Sequence, residues 1–393
     1  MKRTLMRPYG LPESASTPVV TPLMPSVVYA SETPDQLDAQ YDGHLPGYTY
    51  AREGHPNADV LAQRIDAMEG APQPGLVLGS GMAAVTAALL GLCKAGDHVV
   101  GGDQLYGRSL RMMRDDLPRL GIETSLADPT DVAAIAAALR PNTRLVLIEV
   151  VSNPTLRIAD VVGIAELCQD KGVLLVVDNT FTTPRAVTPF TLGADVVLHS
   201  VTKLLAGHSD VTLGWVAARE AEHSKAIYDF AVTTGMTPSP FDCWLAERGV
   251  MSFDLRFDRA ESNAARLADH LAKAKGVKRV LYPTRQDHPD SARAQGLLHG
   301  RGCNMVSFEL DGGRDVANAF TRGADQIAFA PTLGDVGTTL SHPASSSHRA
   351  LTPDARAAQG MTEGFFRVSV GLEDPDALIA AFEQGLAAVA DLA

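Results

Sequence analysis

The stretch GADVVLHSVTKLLAGHSDV (193–211) decides the fold class. It begins with a short apolar run that no polar position interrupts, which is typical of a strand buried on both faces of a helix-covered parallel sheet. Ser200, Thr202 and Lys203 follow that run directly. Because ligands of such sheets bind at the carboxyl ends of the strands, these three residues are candidate site residues.

Other short and uninterrupted apolar runs lie on both sides of this stretch. The segments between them have the length that a helical crossover between parallel strands needs. Together they predict an α/β domain over residues 61–255 with a mostly parallel sheet. The runs are LVLGSG (76–81), HVVGG (98–102), RLVLIEVV (144–151), GVLLVVDN (172–179) and GWVAAR (214–219), and the helical segments are 82–96, 130–140 and 161–172.

The two ends of the chain lack this regular alternation of apolar runs and helical segments. Residues 1–60 are rich in Pro, Gly and Tyr without a helical period, which predicts an extended arm. Beyond a long amphipathic helix at 253–276, strand-like and helical segments no longer alternate strictly. We therefore expect a smaller α+β domain over residues 256–393.

Composition excludes several classes of partner. A formal net charge of −12 argues against nucleic acid, which requires a basic face. No run approaches the roughly 18 apolar residues that span a bilayer. The four cysteines are far apart and form no CxxC pair, which indicates reduced thiols. The N-terminal segment has no apolar run of the secretory type. These features predict a cytoplasmic protein without a membrane or nucleic-acid partner.

The segment GSGMAA (79–84) stands between an apolar run and a helix. Its small residues can cradle the phosphate of a cofactor at a helix start. It also satisfies a relaxed dinucleotide fingerprint, for which Asp97 and Asp103 stand at the required distance, although in a turn-like segment. A plain tight turn is the third interpretation, and the motif alone does not choose among them.

Two further groups of polar residues follow apolar runs. Asp178 can hold a protonated ring nitrogen, a metal or a ribose hydroxyl, or simply cap the next segment. Lys203 with two nearby hydroxyls suits an anion plus an amine. His208 and Asp210 resemble metal ligands, but no second cluster accompanies them, so we expect turn hydrogen bonding there and no metal.

One cofactor uses the phosphate cradle, the carboxylate and the lysine together. Pyridoxal 5'-phosphate (PLP) needs a phosphate cup, a carboxylate on its pyridine nitrogen and a lysine that carries it covalently. Asp178 precedes Lys203 by one strand and one connection, as neighbouring strand ends require. We therefore predict a PLP enzyme. An NAD-dependent dehydrogenase has no comparable use for Lys203, and a non-catalytic protein on the same fold is expected to lack Lys203 or Asp178.

The sequence also resembles the Cys/Met-metabolism (trans-sulfuration) PLP enzymes of fold type I along nearly its whole length. Members include cystathionine γ-synthase, cystathionine γ-lyase, methionine γ-lyase and O-acylhomoserine sulfhydrylase. The resemblance implies the PLP-dependent transferase fold. It rests on YTYAREGHP (48–56), GSGMAA (79–84), DQLYGRSLR (103–111), EVVSNP (149–154), VDNTFTTP (177–184), GADVVLHSVTKLLAGHSDV (193–211), LGDVGTTLSHPASSSH (333–348) and RVSVGLED (367–374).

The resemblance implies a role for each matching residue in cofactor binding. The expected phosphate ligands are the amides of Gly81 and Met82, the hydroxyls of Ser200 and Thr202, and Tyr50 and Arg52 from a neighbouring subunit. Tyr106 is expected to stack on the ring, Asp178 to pair with its nitrogen, Asn153 to lie near its hydroxyl, and Lys203 to carry it.

Substrate residues follow from the same resemblance. Arg367 would clamp the substrate carboxylate, a pairing that suits the arginine fork. Thr332 matches a serine that helps to hold this carboxylate and the lysine, and Tyr106 would act as acid or base at the leaving group. Arg111 is expected to bind an anionic far end of the substrate, although a solvated helix position is its alternative.

Several departures from the family pattern bear on specificity. They are the segment 54–57 (GHPN) after the arm arginine, Leu213 before Gly214, Pro331 where cystathionine-handling members often carry Glu, and Arg108 where they carry Gly. The expected activity is γ-elimination, giving a 2-oxo acid, ammonia and the leaving group. Replacement at the γ-carbon and methionine cleavage stay open, and the expected assembly is a homotetramer.

Overall fold

A seven-stranded sheet forms the centre of the larger part of the molecule. The computed structural model describes residues 4–7, 9, 12–349, 351–390 and 392. The sheet has the order β1-β7-β6-β5-β4-β2-β3. Its strands are β1 (Leu76–Leu78), β2 (His98–Gly102), β3 (Glu123–Ala127), β4 (Thr143–Glu149), β5 (Leu174–Asp178), β6 (Val196–His199) and β7 (Gly214–Ala218).

The sheet is mostly parallel, as predicted. Strands β3, β2, β4, β5 and β6 pair in parallel. The run GWVAAR is an exception, because β7 is antiparallel to both β6 and β1. An apolar run indicates that a strand is buried, but it does not indicate whether the strand is parallel or antiparallel to its neighbours. Strand β3 was not predicted, because it is an edge strand whose sequence ETSLA is polar and partly exposed.

Helices on both faces explain why the central strands are apolar throughout. Along β4, Leu145 and Leu147 pack into the core on one face, whereas Val146 and Ile148 pack into the core on the other. Successive side chains of a strand point to opposite faces of the sheet. When helices cover both faces, the side chains on both faces are buried, so the central positions of the strand are apolar.

The helices around this sheet include the three that the sequence predicted between strands. Their bounds are α2 (Pro56–Glu69), α3 (Gly81–Leu92), α4 (Gly107–Arg111), α5 (Leu117–Arg119), α6 (Val132–Ala138), α7 (Val161–Lys171), α8 (Thr183–Ala186), α9 (Ala221–Thr234) and α10 (Pro240–Val250), with a π-helical turn at Met112–Asp116 and a 3₁₀ turn at Pro189–Leu192.

A second, five-stranded sheet with the order β10-β11-β12-β9-β8 forms the smaller part. Only its β10–β11 pair is parallel among the described strands, so the mixed pattern expected for this region is present. Its elements are α11 (Phe253–Leu271), β8 (Val277–Leu281), α12 (Ser291–Leu297), β9 (Met305–Leu310), α13 (Arg314–Gly323), β10 (Ala328–Phe329), β11 (Thr339–Ser341), a 3₁₀ turn (Pro343–Ser345), α14 (Pro353–Ala358), β12 (Phe365–Ser369) and α15 (Pro375–Ala390).

Both expected domain boundaries, 60/61 and 255/256, fall inside helices α2 and α11. The arm also contains a short helix, α1 (Pro34–Tyr41), which the sequence analysis had not predicted. The division into an arm and two domains therefore stays a proposal. Within the described residues, no helix combines the length and apolarity needed to cross a membrane.

The unusual segment at 54–57 has a structural role at the start of α2. His55 is fully buried and its Nδ1 accepts the backbone N–H of Ala58, which caps the helix. The Asn57 side chain accepts the N–H of Met24 and donates to the carbonyl of Pro22. These contacts tie the arm to α2, so this departure leaves the local fold intact.

Candidate active site

A cavity of about 1140 Å³ lies where the carboxyl ends of the large sheet face the smaller sheet. Every predicted site residue lines it except Tyr50 and Arg52. The lining members of the predicted set are Gly81, Met82, Tyr106, Arg111, Asn153, Asp178, Ser200, Thr202, Lys203, Thr332 and Arg367.

Strand register brings the central polar residues together. Glu149 at the end of β4 is opposite Asp178 at the end of β5, and Asp178 is opposite Leu198 near the end of β6. Lys203 follows β6 after a short turn. The three aligned strand ends therefore place two carboxylates and the amine on one edge of the sheet.

Lys203 lies in a desolvated position. Burial lowers the pKa of its ammonium group, and the positive charge of Arg367 lowers it further. Its Nζ donates to Oγ1 of Thr332 at 3.5 Å. Gly334, at φ +83°, packs so close that a Cβ there would lie 2.5 Å from the backbone nitrogen of Leu204. These features favour a free amine that can act as a nucleophile or base.

The start of α3 forms a compact cradle beside Ser200. The Ser80 hydroxyl caps the helix by accepting the N–H of Ala83 at 3.0 Å. A Cβ on Gly81 would lie 2.6 Å from the Cβ of Ser200, so only glycine fits. Gly214 is equally constrained, because a Cβ there would lie 2.2 Å from the carbonyl oxygen of Ser80. Small residues therefore leave space and free amides for an anion at this helix start.

Thr202 is less available than the resemblance implies. Its hydroxyl donates to the carbonyl of Leu213 and accepts the N–H of the same residue at 2.9 Å. The Leu213 side chain is fully buried in the core, which explains how this chain accepts a leucine where the family has glycine. A phosphate at this place would compete with the Leu213 carbonyl for the hydroxyl proton of Thr202.

Asp178 is held by the chain that follows it. One of its oxygens accepts the backbone N–H of Thr180 at 2.9 Å. Burial raises the pKa of Asp178, and the Thr180 hydrogen bonds and nearby His199 oppose that rise. A cationic partner on its open side would favour the carboxylate, as a protonated ring nitrogen does.

Glu149 is a site residue that the sequence analysis missed. It lines the cavity beside Asp178, and its Oε1 accepts the backbone N–H of Tyr106 at 2.5 Å. Burial and then the negative charge of Asp178 raise the pKa of Glu149 well above its ordinary value. Two adjacent carboxyl groups do not both ionise readily, so burial and the neighbouring Asp178 favour the protonated form of Glu149. Its position at the end of the run RLVLIE was the available signal.

Arg367 reaches the cavity from β12 of the smaller sheet. Its side chain is buried, and its Nη atoms donate to Oδ1 of Asn153 at 2.7 Å and to the carbonyl of Thr332 at 3.0 Å. Its Nε has no hydrogen-bond partner in the part of the chain that the structure describes. Burial lowers the pKa of Arg367 to about 10. A buried guanidinium without a carboxylate contact suits an incoming anion.

The short helix α4 and the π-helical turn that follows it carry an arginine-rich rim of the cavity. Arg108, Arg111 and Arg114 all line the cavity, as a spacing of three residues allows. Arg111 makes a long ion pair of 3.9 Å with Asp115, and its side chain is 58% exposed. Next to them, a Cβ on Gly107 would lie 2.4 Å from the carbonyl oxygen of Ser347. The rim therefore packs directly against the smaller part of the molecule.

Tyr50 and Arg52 lie outside this cavity in the single chain. The Arg52 guanidinium packs over the Tyr50 ring at 5.6 Å and donates to the carbonyl of Val232. Both side chains keep about two fifths of their surface exposed. His208, which resembled a metal ligand, instead contacts the carbonyl of Ala206, and no cluster of metal-ligating residues occurs within the described residues.

Comparison with known proteins places this geometry in a family. A family model described as Cys/Met metabolism PLP-dependent enzyme matches residues 8–387. The chain belongs to this family.

Relatives of the chain include two Bacillus subtilis enzymes. Cystathionine gamma-lyase is 36% identical over 98% of this chain and 99% of its own length. Cystathionine beta-lyase is 39% identical over 87% of each protein. The crystal structure of cystathionine gamma synthase from Xanthomonas oryzae pv. oryzae in complex with cystathionine has a TM-score of 0.91 and 35% identity, and the match covers 97% of this chain and 96% of that one. These findings confirm the predicted family, fold and cofactor.

The cavity of this PLP-dependent enzyme fits its cofactor. The glycine cradle at α3 would receive the phosphate, Asp178 would pair with the ring nitrogen, and Lys203 would carry the group covalently. The dinucleotide interpretation of GSGMAA is set aside, because β1 lies at the edge of the sheet beside an antiparallel strand. A dinucleotide fingerprint instead follows a strand next to the topological switch point.

Substituting Glu149 tests the protonation assigned to it. Glutamine has the shape of a protonated glutamate, so we expect Glu149→Gln to keep kcat/KM within about threefold of wild type at neutral pH. Glu149→Ala removes the acceptor of the Tyr106 N–H, and we expect a loss of about tenfold or more. Steady-state kinetics of both variants provide the measurement, and equal losses would contradict the assignment.

The stability of the cofactor-free protein gives an independent check. As pH rises above the usual range of a carboxyl group, Glu149 ionises in the unfolded chain while its raised pKa keeps it protonated in the folded one. Wild type therefore loses stability with rising pH until the raised pKa is reached, and Glu149→Gln does not share this loss. The Tm advantage of the variant should grow from acidic to neutral pH.

Proposed function

We propose that the chain is a γ-eliminating lyase similar to cystathionine γ-lyase, which releases a 2-oxo acid, ammonia and the γ-substituent of an amino acid. The observation that carries the proposal is the convergence of Lys203, Asp178 and Arg367 on one cavity whose outer rim is cationic. These three groups would act on the α-carbon, amine and carboxylate, which every amino acid has. The cationic rim would contact the γ-substituent, which differs between substrates.

Each of these side chains has a task at a defined atom of the substrate. When bound, PLP supplies an electron sink for the negative charge that develops at the substrate Cα. Lys203 takes the α-proton, because desolvation lowers the pKa of its ammonium group and so favours the free amine. Arg367 orients the substrate by its carboxylate. Tyr106 stands at the cavity with its backbone fixed by Glu149, where its phenol can exchange a proton with the leaving group.

The arginine rim supports an anionic or acceptor-rich substituent. Arg111 lines the cavity, which favours a substrate contact over a purely solvated helix position. Arg108 adds a second guanidinium where cystathionine-handling members of the family have glycine, and Pro331 supplies no carboxylate that would neutralise it. A substituent that ends in a carboxylate meets these conditions.

We extend the proposal to the assembly. Tyr50 and Arg52 would complete the phosphate site of a neighbouring subunit, since both side chains keep about two fifths of their surface exposed. The arm presents large apolar side chains to solvent, which a partner subunit would cover. They are Val19, Val20, Met24, Val27 and Val28. A homotetramer of two such dimers is the proposed state, and its cytoplasmic location is supported by four free cysteines.

A product assay tests the proposed reaction. Purified holoenzyme is given cystathionine, methionine and an O-acylhomoserine, each with and without added thiol. We expect 2-oxobutanoate and ammonia from cystathionine without thiol. Pyruvate in place of 2-oxobutanoate would assign β-elimination, the activity named for one relative. Turnover of the O-acylhomoserine only with thiol present would assign γ-replacement.

Arg111→Ala tests how the far end of the substrate is recognised. A charged hydrogen bond contributes roughly 1.5–3 kcal/mol, so we expect kcat/KM for cystathionine to fall about ten- to a hundredfold. Methionine, which lacks the distal charge, should lose far less. The matched control is Arg119→Ala, which removes an exposed arginine on α5 that makes a long ion pair with Asp116. Equal losses on both substrates would place Arg111 outside the substrate site.

A further inference from the structure

The centre of the smaller sheet has an apolar face and a polar face. The side chains of β9 and β12 that pack into the core of the smaller part are Val306, Phe308, Phe366 and Val368. Ser307 and Arg367 alternate with them, so their side chains point to the opposite face, from which Arg367 reaches the cavity. The two are direct neighbours, since Ser307 is opposite Arg367 in the antiparallel pair of β9 and β12.

Both side chains bind the segment that follows β4 in the large sheet. Ser307 is fully buried, and its hydroxyl donates to the carbonyl oxygen of Pro154 at 2.7 Å. Arg367 donates to Oδ1 of the preceding residue, Asn153, at 2.7 Å. Asn153 and Arg367 line the cavity, whereas Ser307 and Pro154 are not among its lining residues. Two neighbouring strands therefore hold two consecutive residues, one bond at the cavity wall and one behind it.

The bond behind the wall fixes the position of Asn153. Pro154 is buried, so its carbonyl oxygen depends on a protein donor, which Ser307 supplies. A buried acceptor that loses its donor destabilises the arrangement that contains it. Without the Ser307 hydroxyl, the segment 152–155 would therefore shift toward another donor and move the Asn153 side chain away from Arg367.

Such a shift bears directly on the guanidinium of Arg367. Its Nη atoms are held by two neutral acceptors, Oδ1 of Asn153 and the carbonyl of Thr332. A guanidinium binds a carboxylate best through two parallel N–H groups, which requires a fixed orientation of its plane. Lys203 and Asp178 do not depend on the Ser307 bond, because they are held at the strand ends of the large sheet. Loss of the bond would therefore weaken recognition of the carboxylate selectively.

We propose that Ser307 is a positioning residue for the substrate carboxylate. Its hydroxyl holds Pro154, and thereby Asn153, where the Arg367 guanidinium meets them. The inference rests on the proposed function of Arg367 as the residue that binds this carboxylate. It assigns part of substrate recognition to a neutral side chain that lies outside the cavity.

Two ligands that differ only in the carboxylate, norvaline and butan-1-amine, test this role. Neither carries a leaving group at its γ-carbon, so their binding to the holoenzyme can be titrated through the absorbance of the cofactor without turnover. Wild type should bind norvaline more tightly than butan-1-amine. For Ser307→Ala we expect the Kd of norvaline to rise about tenfold and that of butan-1-amine to change by less than about twofold.

Ser341→Ala is the matched control. Ser341 is opposite Arg367 on the other neighbouring strand, β11, and is also buried. Its hydroxyl donates to the backbone carbonyl of Arg367 at 3.2 Å, so this bond stays within the smaller sheet. We expect both Kd values of this variant to equal those of wild type. If Ser307→Ala does not fold, Ser307→Cys carries the test, because a thiol fills a similar space and is a weak donor.

The outcomes separate this inference from the proposed function. A folded Ser307 variant that binds norvaline as wild type does, or that binds both ligands equally more weakly, overturns the inference, as does the same selective loss in Ser341→Ala. In each of these cases the proposed role of Arg367 stands if wild type favours norvaline. Wild type that binds no PLP, or that does not distinguish the two ligands, contradicts the proposed function itself.

Discussion

Parallel pairing of β4, β5 and β6 is the constraint on which the site depends. It aligns the strand ends so that Glu149, Asp178 and the segment leading to Lys203 share one edge of the sheet. The backbone groups of these strands are satisfied within the sheet, which leaves only the ends free to offer polar groups. The smaller part of the molecule supplies Arg367, Thr332 and the segment 345–349 to close a cavity around an amino acid.

Burial shifts the pKa values of the ionisable groups in this cavity. Burial lowers the pKa of Lys203 and raises that of Glu149, so it favours the neutral form of both groups. Arg367 stays cationic, since even its lowered pKa of about 10 lies above neutrality. In the proposed roles, Lys203 is an amine that can take a proton, Asp178 is the carboxylate for the ring nitrogen and Arg367 is the cation for the substrate.

Much of this arrangement could be predicted from sequence. Asp178 and Lys203 stand at the ends of apolar runs, and runs of that kind predict buried strands whose ends meet. What could not be predicted depends on contacts that are remote in sequence. The direction of β7 is set by pairing, which an apolar run does not encode. Glu149 acts through the backbone of Tyr106, and Ser307 meets Pro154 across 153 positions. The partners proposed for Tyr50 and Arg52 lie in a second subunit, whose placement a single sequence does not encode.

Covalent attachment of the cofactor at the end of β6 is the central claim, and borohydride trapping with peptide mapping tests it most directly. Reduction of the holoenzyme should fix the cofactor to the peptide that contains Lys203, and Lys203→Arg should carry no adduct. An adduct on another lysine, such as Lys94 or Lys171, would contradict the account, as would full incorporation into the Lys203→Arg protein.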